Sequence, residues 1–274
     1  MGEILARRDL LVQLAVRDVR IRYKQAVMGF AWAILTPMLI VGAGSLVRIA
    51  VVAMSGATLE RTAIGSVVLK SFPWAFFAGA LSFGVQSVTA NIALVTKIYF
   101  PRAILPIAVV GAHLVDLGVG VAVLLVALPF LGAQLSAALL WVPLLVALLL
   151  VLTAGLCTVL ACANLFFRDV KYIVQVAITF GIFFTPVLFD NTSFGPRGAR
   201  LLMLNPLAPL FEGLRLAIFE GHNLLAPLVL TLRGAAVVAW SPWYLAYALV
   251  WAAGSLWLGL VLFQRTQDLF AEFA

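Results

Sequence analysis

Charged residues are scarce in this chain. They make up 11% of its 274 residues, whereas 64% are hydrophobic, and the mean hydropathy is +1.13. Soluble domains carry about 25% charged and roughly 45–50% apolar residues. The composition therefore excludes an ordinary soluble domain and predicts an integral membrane protein.

Residues that commonly catalyse reactions or bind metals are also few. The two cysteines, Cys157 and Cys162, match no metal-binding spacing, so we expect them to be packing residues. The two histidines lie far apart, and the sequence contains no HExxH, GxSxG or paired-carboxylate motif. None of the four lysines follows a glycine, which excludes a GxxxxGK[ST] phosphate loop. We therefore expect no catalytic residue, no metal site and no cofactor bound by this chain.

Long apolar runs are what the sequence has instead. Five windows contain no charged residue: 25–47, 71–96, 117–167, 172–189 and 234–264. A spanning helix needs about 20 apolar residues, and the third window divides at a turn of small and polar residues, 132–136. The runs are continuous rather than alternating, which favours helices over a β-barrel. The sequence thus predicts an all-α polytopic membrane protein with six spans, at 26–54, 71–91, 103–131, 137–165, 172–189 and 241–264.

The segment 4–24 predicts an amphipathic helix at the membrane surface. Its polar stripe consists of Asp9, Gln13, Arg17, Arg20 and Lys24. Its apolar face consists of Leu11, Val12, Ala15, Val16 and Val19. Asp18 and Arg22 interrupt the apolar face and are spaced to pair with each other. Two interpretations stay open, a positively charged topology anchor and a surface that grips lipid headgroups or a partner. Since this charged segment precedes the first apolar run, we expect no cleavable signal peptide.

Two connections are less regular. Residues 55–73 are expected to form a short external loop. The segment 201–240 contains two semi-apolar stretches that are broken by proline and carry arginine, and the first also contains Glu212. A charge at mid-bilayer costs a few kcal/mol, so this segment predicts a pair of re-entrant helices rather than two full spans.

The basic residues predict the orientation. With a cytoplasmic N-terminus, eleven fall inside: Arg7, Arg8, Arg17, Arg20, Arg22, Lys24, Lys97, Arg102, Arg168, Lys171 and Arg265. Six fall outside: Arg61, Lys70, Arg197, Arg200, Arg215 and Arg233. Arg48 lies within the first span. This bias follows the positive-inside rule, so both termini are expected in the cytoplasm.

His113 and Asp116 are three positions apart in the third span. An ionisable residue within a membrane span is a functional candidate, here a proton-coupled transport site. A single pair is also what a helix uses to bind a neighbouring helix. Because a proton path needs more such groups, the sequence favours the structural role.

Aromatic residues are frequent around the second and fifth predicted spans. Phe180, Phe183 and Phe184 share one helical face. Contact with lipid is one interpretation, and a smooth channel lining along which sugar rings slide is the other.

Two predicted cytoplasmic turns combine aromatic and basic side chains. They are TKIYFPRAILP at 96–106 and NLFFRDVKYI at 164–173. Aromatic residues with arginine are typical of protein-binding hot spots, and Pro101 permits a new helix to begin. The turns are therefore expected to expose Tyr99, Phe100, Phe166 and Phe167 to a partner, the alternative being basic side chains that reach lipid headgroups.

These segments resemble the permease subunits of ABC type-two exporters of bacterial cell-surface polysaccharides, of the O-antigen and teichoic acid type. The resemblance is carried by RDVRIRYKQAVMGFAWAILTP at 17–37, NIALVTKIYFPRAILPIA at 91–108, NLFFRDVKYIVQVAITFGIFFTPVLF at 164–189, LNPLAPLFEGLR at 204–215 and LFAEF at 269–273. Ala103 departs from the family pattern, which often has an acidic residue there, and 25–26 is a minor variant.

The resemblance implies one transmembrane domain over 1–274 that forms a homodimer and joins two copies of a cytoplasmic ATPase, which would bind ATP and Mg²⁺. The implied ATPase contacts are Lys97, Ile98, Tyr99, Phe100, Pro101, Arg102, Phe167, Arg168, Asp169 and Lys171. The implied channel lining is Trp32, Phe76, Phe77, Tyr172, Phe180, Phe183 and Phe184.

The implied cargo is a glycan on an undecaprenyl-type lipid in the bacterial inner membrane, with no nucleic acid partner. We expect its pyrophosphate headgroup to lie near Arg17, Arg20, Arg22 or Lys24, since phosphates pair well with Arg and Lys. The alternatives are an ABC exporter of a drug, ion or small lipid, a proton-coupled secondary transporter that uses His113 and Asp116, and a scaffold that transports nothing.

Overall fold

In this computed structural model, the structure describes residues 7–24, 31–55, 61–97, 100–232 and 235–266. The helices are α1 (Arg8–Lys24), α2 (Ala31–Ser55), α3 (Arg61–Gly84), α4 (Ile92–Lys97), α5 (Ile104–Ala127), α6 (Trp141–Phe166), α7 (Val170–Gly181), α8 (Gly195–Leu202), α9 (Ala208–Phe219) and α10 (Trp243–Thr266). Two strands, β1 (Leu228–Leu232) and β2 (Ala235–Trp240), lie between α9 and α10. Short 3-10 turns at Leu128–Leu131 and Ala137–Leu140 extend α5 and α6 toward each other.

Five described helical segments are long and apolar enough to cross a membrane: Ala31–Met54, Arg61–Gly84, Ile104–Leu131, Ala137–Phe166 and Trp243–Thr266. The chain is therefore a multi-pass membrane protein. The turn between the third and fourth segments follows Gly132, whose φ of +89° lies in the left-handed region that glycine adopts without strain.

Helix α3 begins ten residues before the predicted second span, at Arg61 rather than 71. The prediction that 55–73 forms an external loop is therefore wrong for most of that segment, which is helical from Arg61. Lys70 and Pro73 both lie inside the helix and are buried. Lys70 is tolerated there because two carboxylates contact its amine, and membrane helices accept internal proline when neighbouring groups satisfy the freed backbone.

The predicted fifth span is shorter than expected. Helix α7 and the 3-10 turn that follows it end at Phe184, and Val170–Phe184 is an apolar helical segment below the length of a full span. The helix stops because Thr185 precedes Pro186 and adopts an extended conformation, with φ −122° and ψ 139°.

The segment 201–240 differs most from its prediction. Its first half contains the helix α9, which is buried along almost its whole length. The expected second helix is wrong, because β1 and β2 form an antiparallel hairpin in which Leu232 pairs with Ala235. The strands LVLTL and AAVVAW contain valine and threonine, which favour strands, but a short apolar run does not reveal its period. The protein is thus mostly helical, consistent with the predicted all-α polytopic membrane protein, and contains one short hairpin.

Two groups of buried side chains define the two ends of the molecule. One end, the α1 end, joins α1, the start of α5, and the ends of α6 and α10 through Leu14, Phe100, Ile104, Leu165 and Phe263. At the other end, the hairpin end, α9 packs against α3, α6 and α10.

Helices α6 and α10 cross at unusually close range. Gly155 of α6 faces Ser255 and Leu256, and Gly259 of α10 faces Thr158, whose Cβ would lie 2.8 Å from a Cβ added at Gly259. Close approach of small residues is a common way for helices to associate in membranes. The crossing fixes the last span against the centre of the protein.

We expect Gly155→Ala to destabilise the protein by about 1–3 kcal/mol, because the added methyl would overlap the Ser255 hydroxyl and the Leu256 backbone nitrogen. Gly254→Ala on α10 is the matched control, since a Cβ there has no neighbour within 4 Å among the described residues. Thermal unfolding of the purified protein in detergent measures both. Equal midpoints for the two variants would contradict the close crossing.

Candidate functional site

The four basic residues of α1 that were predicted to lie near a headgroup divide into two pairs. Arg20 and Lys24 are exposed, whereas Arg17 and Arg22 are partly buried against the protein. Arg22 Nη1 donates to the Asp116 carboxylate at 2.7 Å, and its Nη2 lies 3.2 Å from His113 Nδ1. The expected pairing of Asp18 with Arg22 is therefore wrong. His113 and Asp116 bind α1 to α5, which matches their expected structural role.

Tyr23 also donates its hydroxyl to Asp116. Burial, and then the hydrogen bond and charge of Asp116, raise the pKa of Tyr23 to about 12. The phenol therefore stays protonated at neutral pH and remains a donor to the carboxylate. Together, Arg22 and Tyr23 hold the end of α1 on α5.

Arg17 is bound on both sides. Its Nη2 donates to Asp18 at 2.8 Å and to the side-chain carbonyl of Asn91 at 2.9 Å. Asn91 lies in the 3-10 turn that links α3 to α4. Of the four predicted headgroup residues, Arg17 and Arg22 thus position α1, and Arg20 and Lys24 face outward.

The first predicted ATPase contact differs from its prediction in one residue. Phe100 was expected to be exposed, but it is 5% exposed and packs with Leu14, Ile104 and Phe263. An aromatic ring in an apolar cluster is more stable than the same ring at a hydrated turn. Pro101 and Arg102 are partly buried, and Ile98 and Tyr99 lie outside the described residues. Lys97 is the last residue of α4.

The second predicted contact is at the surface. Phe167 is 71% exposed, Arg168 and Asp169 are exposed, and Lys171 is partly buried. The corner between α6 and α7 is held by Asn164, whose side-chain carbonyl accepts the backbone N–H of Lys171 at 3.2 Å. A cavity of about 270 Å³ lies beside it, lined by Thr89, Ile92, Asn164, Leu165, Arg168 and Lys171. This corner presents an aromatic ring and two cations on a fixed backbone.

The predicted channel residues also separate by exposure. Phe76 and Phe77 are 2% and 6% exposed and belong to the core around α3. The others are exposed by more than half: Trp32, Tyr172, Phe180, Phe183 and Phe184. Those on α7 lie on a helix whose one buried residue is Val174. The outward aromatic face is therefore that of α7 and the start of α2.

A groove of about 470 Å³ lies between α2, α3, α5 and α7. Its walls are mainly apolar, with Trp32, Pro37, Phe72 and Trp74 among them. Arg22, Tyr23, His113 and Asp116 close one end. The groove thus runs from an apolar interior to the polar contacts of α1.

An ionic network at the hairpin end, with a fully buried pair at its centre, was not predicted. We call it the Asp190 network, and it comprises Arg48, Lys70, Asp190, Glu212, Arg215 and Glu220. Lys70 Nζ lies 3.1 Å from Asp190 Oδ1 and 3.0 Å from Glu212 Oε2, and the Lys70 and Glu212 side chains are fully buried. Three cations face three carboxylates, so the network is neutral in sum.

Asp190 is the shared acceptor of the Asp190 network. Arg48 Nη2 donates to its Oδ2 at 2.8 Å, and the Ser66 hydroxyl donates to its Oδ1 at 2.9 Å. Burial by itself would raise the pKa of Asp190, but the charges of Lys70, Arg215 and Arg48 outweigh it and hold this pKa below its usual range. The carboxyl is therefore ionised at neutral pH.

Arg215 joins α9 to the network. It donates to Glu212 at 2.6 Å and to Glu220 at 2.6 Å. The sequence marks these charges as unusual, because Arg48 and Glu212 stand in otherwise apolar stretches. Opposite charges within separate apolar segments are the signal that would have predicted their pairing.

We expect Lys70→Met to destabilise the protein by about 3–5 kcal/mol, because Glu212 would remain buried without its cation. The double variant Lys70→Met, Glu212→Gln removes both charges of this pair and should recover part of the loss. Denaturant or thermal unfolding in detergent measures each free energy of unfolding.

Arg61→Met is the matched control for the loss of Lys70. It lies on the same helix and is exposed, so its effect should stay within about 0.5 kcal/mol. If Lys70→Met were as stable as Arg61→Met, the ionic contacts of Lys70 would contribute nothing to the fold.

Comparisons with known proteins agree on one family. Residues 9–219 match the family model described as the ABC-2 type transporter. The O-antigen export system permease protein RfbA of Myxococcus xanthus is 29% identical over 98% of this chain and 97% of that protein. Two proteins of the same name from Klebsiella pneumoniae are each 26% identical over 78% of this chain and 81% of their own length.

Proposed function

This chain belongs to the ABC-2 type transporter family, and we propose that it is the permease of an ATP-driven exporter of lipid-linked cell-surface polysaccharide. The cargo would be a glycan of the O-antigen or teichoic acid type. The observation that carries this proposal is the similarity to the Myxococcus xanthus permease, which extends over nearly the full length of both chains. A multi-pass helical body agrees with it.

A chain of this family is a membrane subunit of a transporter and works with an ATPase subunit rather than as one. In our proposal two copies of the permease and two copies of the ATPase form the exporter, and ATP and Mg²⁺ bind to the ATPase. The exporter lies in the bacterial inner membrane with both termini in the cytoplasm. The basic residues of α1 support this orientation.

The channel would lie between two protomers. Support comes from α2, which is the least covered of the five long segments: 12% of its most apolar 18-residue stretch is buried against the rest of the protein. Helix α7 and the 3-10 turn that follows it add an exposed aromatic face that includes Phe180 and Phe183. Such faces are suited to lipid, to a second protomer, or to sugar rings that move without tight hydrogen bonds. Phe76 and Phe77 are better suited to packing than to this lining.

The ATPase would engage the corner between α6 and α7. Phe167, Arg168 and Asp169 are exposed there, and the bond from Lys171 to Asn164 fixes the backbone. Movement of the ATPase would pass from this corner into α7, which is weakly covered along its length. The turn at 96–102 would contribute a second contact through Arg102, with Phe100 as its internal support.

Lipid recognition would begin at α1. Arg20 and Lys24 are exposed and are suited to attract the pyrophosphate of the lipid carrier. Arg17 and Arg22 are already paired with carboxylates. They would fix the position of α1 so that Arg20 and Lys24 face the pyrophosphate.

The rival transport mechanisms are less well supported. In a proton-coupled transporter His113 and Asp116 would exchange protons with water, whereas Arg22 and Tyr23 bind them here. An ABC exporter of a drug, ion or small lipid would share the fold. Similarity to three proteins named as O-antigen export permeases favours the polysaccharide.

Deletion of the gene should abolish the surface polysaccharide and leave lipid-linked glycan in the inner membrane. A plasmid copy of the wild-type permease should restore export. Gel analysis of surface glycan and extraction of lipid-linked intermediates measure both effects. Normal surface glycan in the deletion strain would refute the proposed cargo and favour an exporter of small molecules.

We expect Phe167→Ala to weaken association with the ATPase by about tenfold or more, since exposed aromatic anchors carry much of the binding energy of an interface. Phe130→Ala is the matched control, because Phe130 is 78% exposed and lies at the end of α5 away from α1. Co-purification of the co-expressed ATPase, normalised to folded permease, measures the effect. Equal association of both variants would remove Phe167 from the interface.

A further inference from the structure

The cavity beside the corner between α6 and α7 has the features of an anion site. We call it the corner pocket, and its volume is about 270 Å³. It lies where three segments meet: the 3-10 turn and start of α4, the end of α6 with the corner that follows it, and the start of α7. These segments contribute Thr89 and Ile92, then Asn164, Leu165 and Arg168, then Lys171. A ligand in the pocket would therefore contact α4 and the corner together.

The charges of the corner pocket are not balanced from within. Two of its walls are cations, Arg168 and Lys171, and none of its walls is a carboxylate. In the part of the chain that the structure describes, neither cation forms an ion pair, not even with Asp169 between them. Lys171 Nζ lies 4.9 Å from the centre of the exposed Tyr172 ring, which supplies no counter-charge. The pocket thus has two positive charges to offer to an anion.

This imbalance differs from the state of other cations that are partly buried. Each of four such arginines contacts a carboxylate at between 2.6 and 2.8 Å: Arg17, Arg22, Arg48 and Arg215. Lys171 is also partly buried but has no such contact within the described ranges. An anion from outside the chain would give it one.

The shape of the corner pocket is fixed by Asn164, which is 2% exposed. Its side-chain nitrogen donates to Thr89 Oγ1 at 3.4 Å, and its side-chain oxygen accepts the backbone N–H of Lys171 at 3.2 Å. These two bonds join the turn before α4 to both sides of the corner. They leave the charged ends of Arg168 and Lys171 available to a ligand, since both groups are donors only.

The walls are suited to a carboxylate on a short apolar stem. Arginine binds carboxylates through two parallel hydrogen bonds, and Ile92 and Leu165 provide apolar walls for methylene groups. A glutamate side chain has this order of parts. The pocket is also smaller than the roughly 300–1,000 Å³ of small-molecule sites, so it is better suited to one side chain than to a phospholipid headgroup.

The surroundings indicate that this carboxylate comes from a protein. Phe167 precedes Arg168 in the chain and is 71% exposed. An exposed aromatic anchor next to arginine is typical of a binding hot spot. In the proposed function, the protein that reaches this corner is the ATPase.

We propose that the corner pocket binds the carboxylate of a glutamate from the ATPase. This inference rests on the proposed function and adds a specific ionic contact to the surface around Phe167. Because α4 and the corner both bound the pocket, one side chain of the ATPase would act on both at the same point. Movement of the ATPase would then shift α4 and α7 together.

Carbodiimide crosslinking of the co-purified permease–ATPase complex tests this contact. The reagent activates a carboxylate, which a neighbouring amine attacks to form an amide bond as the reagent leaves as a urea. We expect Lys171 to become linked to a glutamate of the ATPase, which mass spectrometry of the digested complex identifies. Lys171→Arg is the matched variant: it keeps the charge but has no amine, so it should abolish this crosslink and retain the ATPase.

Affinity measurements test the energy of the same contact. Lys171→Met and Arg168→Met should each weaken association with the ATPase about tenfold, since hydrogen bonds to charged groups contribute this much. Arg197→Met is the control, because Arg197 is an exposed cation on α8 at the hairpin end, and it should associate like the wild type. Glutamine at the crosslinked glutamate should weaken association by itself and add little to Lys171→Met.

Two results would overturn the proposal. The first is a wild-type complex in which Lys171 forms no crosslink to the ATPase, or a Lys171→Met variant that associates as tightly as Arg197→Met. The second concerns the permease alone in nanodiscs that contain phosphatidylcholine and phosphatidylglycerol. If native mass spectrometry showed phosphatidylglycerol retained by the wild type and lost from Lys171→Met, the pocket would hold a phospholipid instead.

Export of surface glycan by the same strain separates this inference from the proposed function. A strain that exports glycan, with a complex that Lys171→Met does not weaken, would refute the ionic contact and leave the proposed function standing. A wild-type complex that exports no glycan would refute the proposed function itself.

Discussion

The ion pairs of Asp190 hold together segments that are far apart in the chain. Arg48 comes from α2, Lys70 from α3 and Arg215 from α9, and all three cations converge on this one carboxylate. Within a poorly hydrated interior, an unpaired charge is so costly that each of these segments is confined to positions that preserve the pairing. The placement of α9 against the long helices follows from this constraint.

The opposite end is organised differently. There, α1 lies against α5 through the contacts of Arg22 and Tyr23 with Asp116, and the apolar cluster around Phe100 fills the space below. Helix α7 runs between these two ends with little of its surface covered by the rest of the chain. A helix that is held at the hairpin end and exposed along its length is well placed to transmit movement from a partner bound at the corner between α6 and α7.

Hydrophobic pattern alone predicted the membrane class and the long apolar helices, because span length is set by bilayer thickness. It failed where charge or local geometry decided the outcome. The predicted loop at 55–73 is wrong because Lys70 is stabilised inside a helix by Asp190 and Glu212, which are more than a hundred residues away in the sequence. The predicted second helix of 201–240 is a hairpin, and a short apolar run has no visible period that would reveal it. Among the candidate site residues, Phe167 is exposed as expected, whereas Phe100 is buried. No local sequence signal distinguishes an exposed aromatic residue from a buried one.

The balance of charges in the Asp190 network has a consequence for a protein in an energised membrane. A charge that moves across the bilayer exchanges about 2.3 kcal/mol with a potential of 100 mV. Arg48, Lys70 and Arg215 offset Asp190, Glu212 and Glu220, so the network carries no net gating charge. A joint shift of these segments would therefore move no net charge across the bilayer and would require no electrical work.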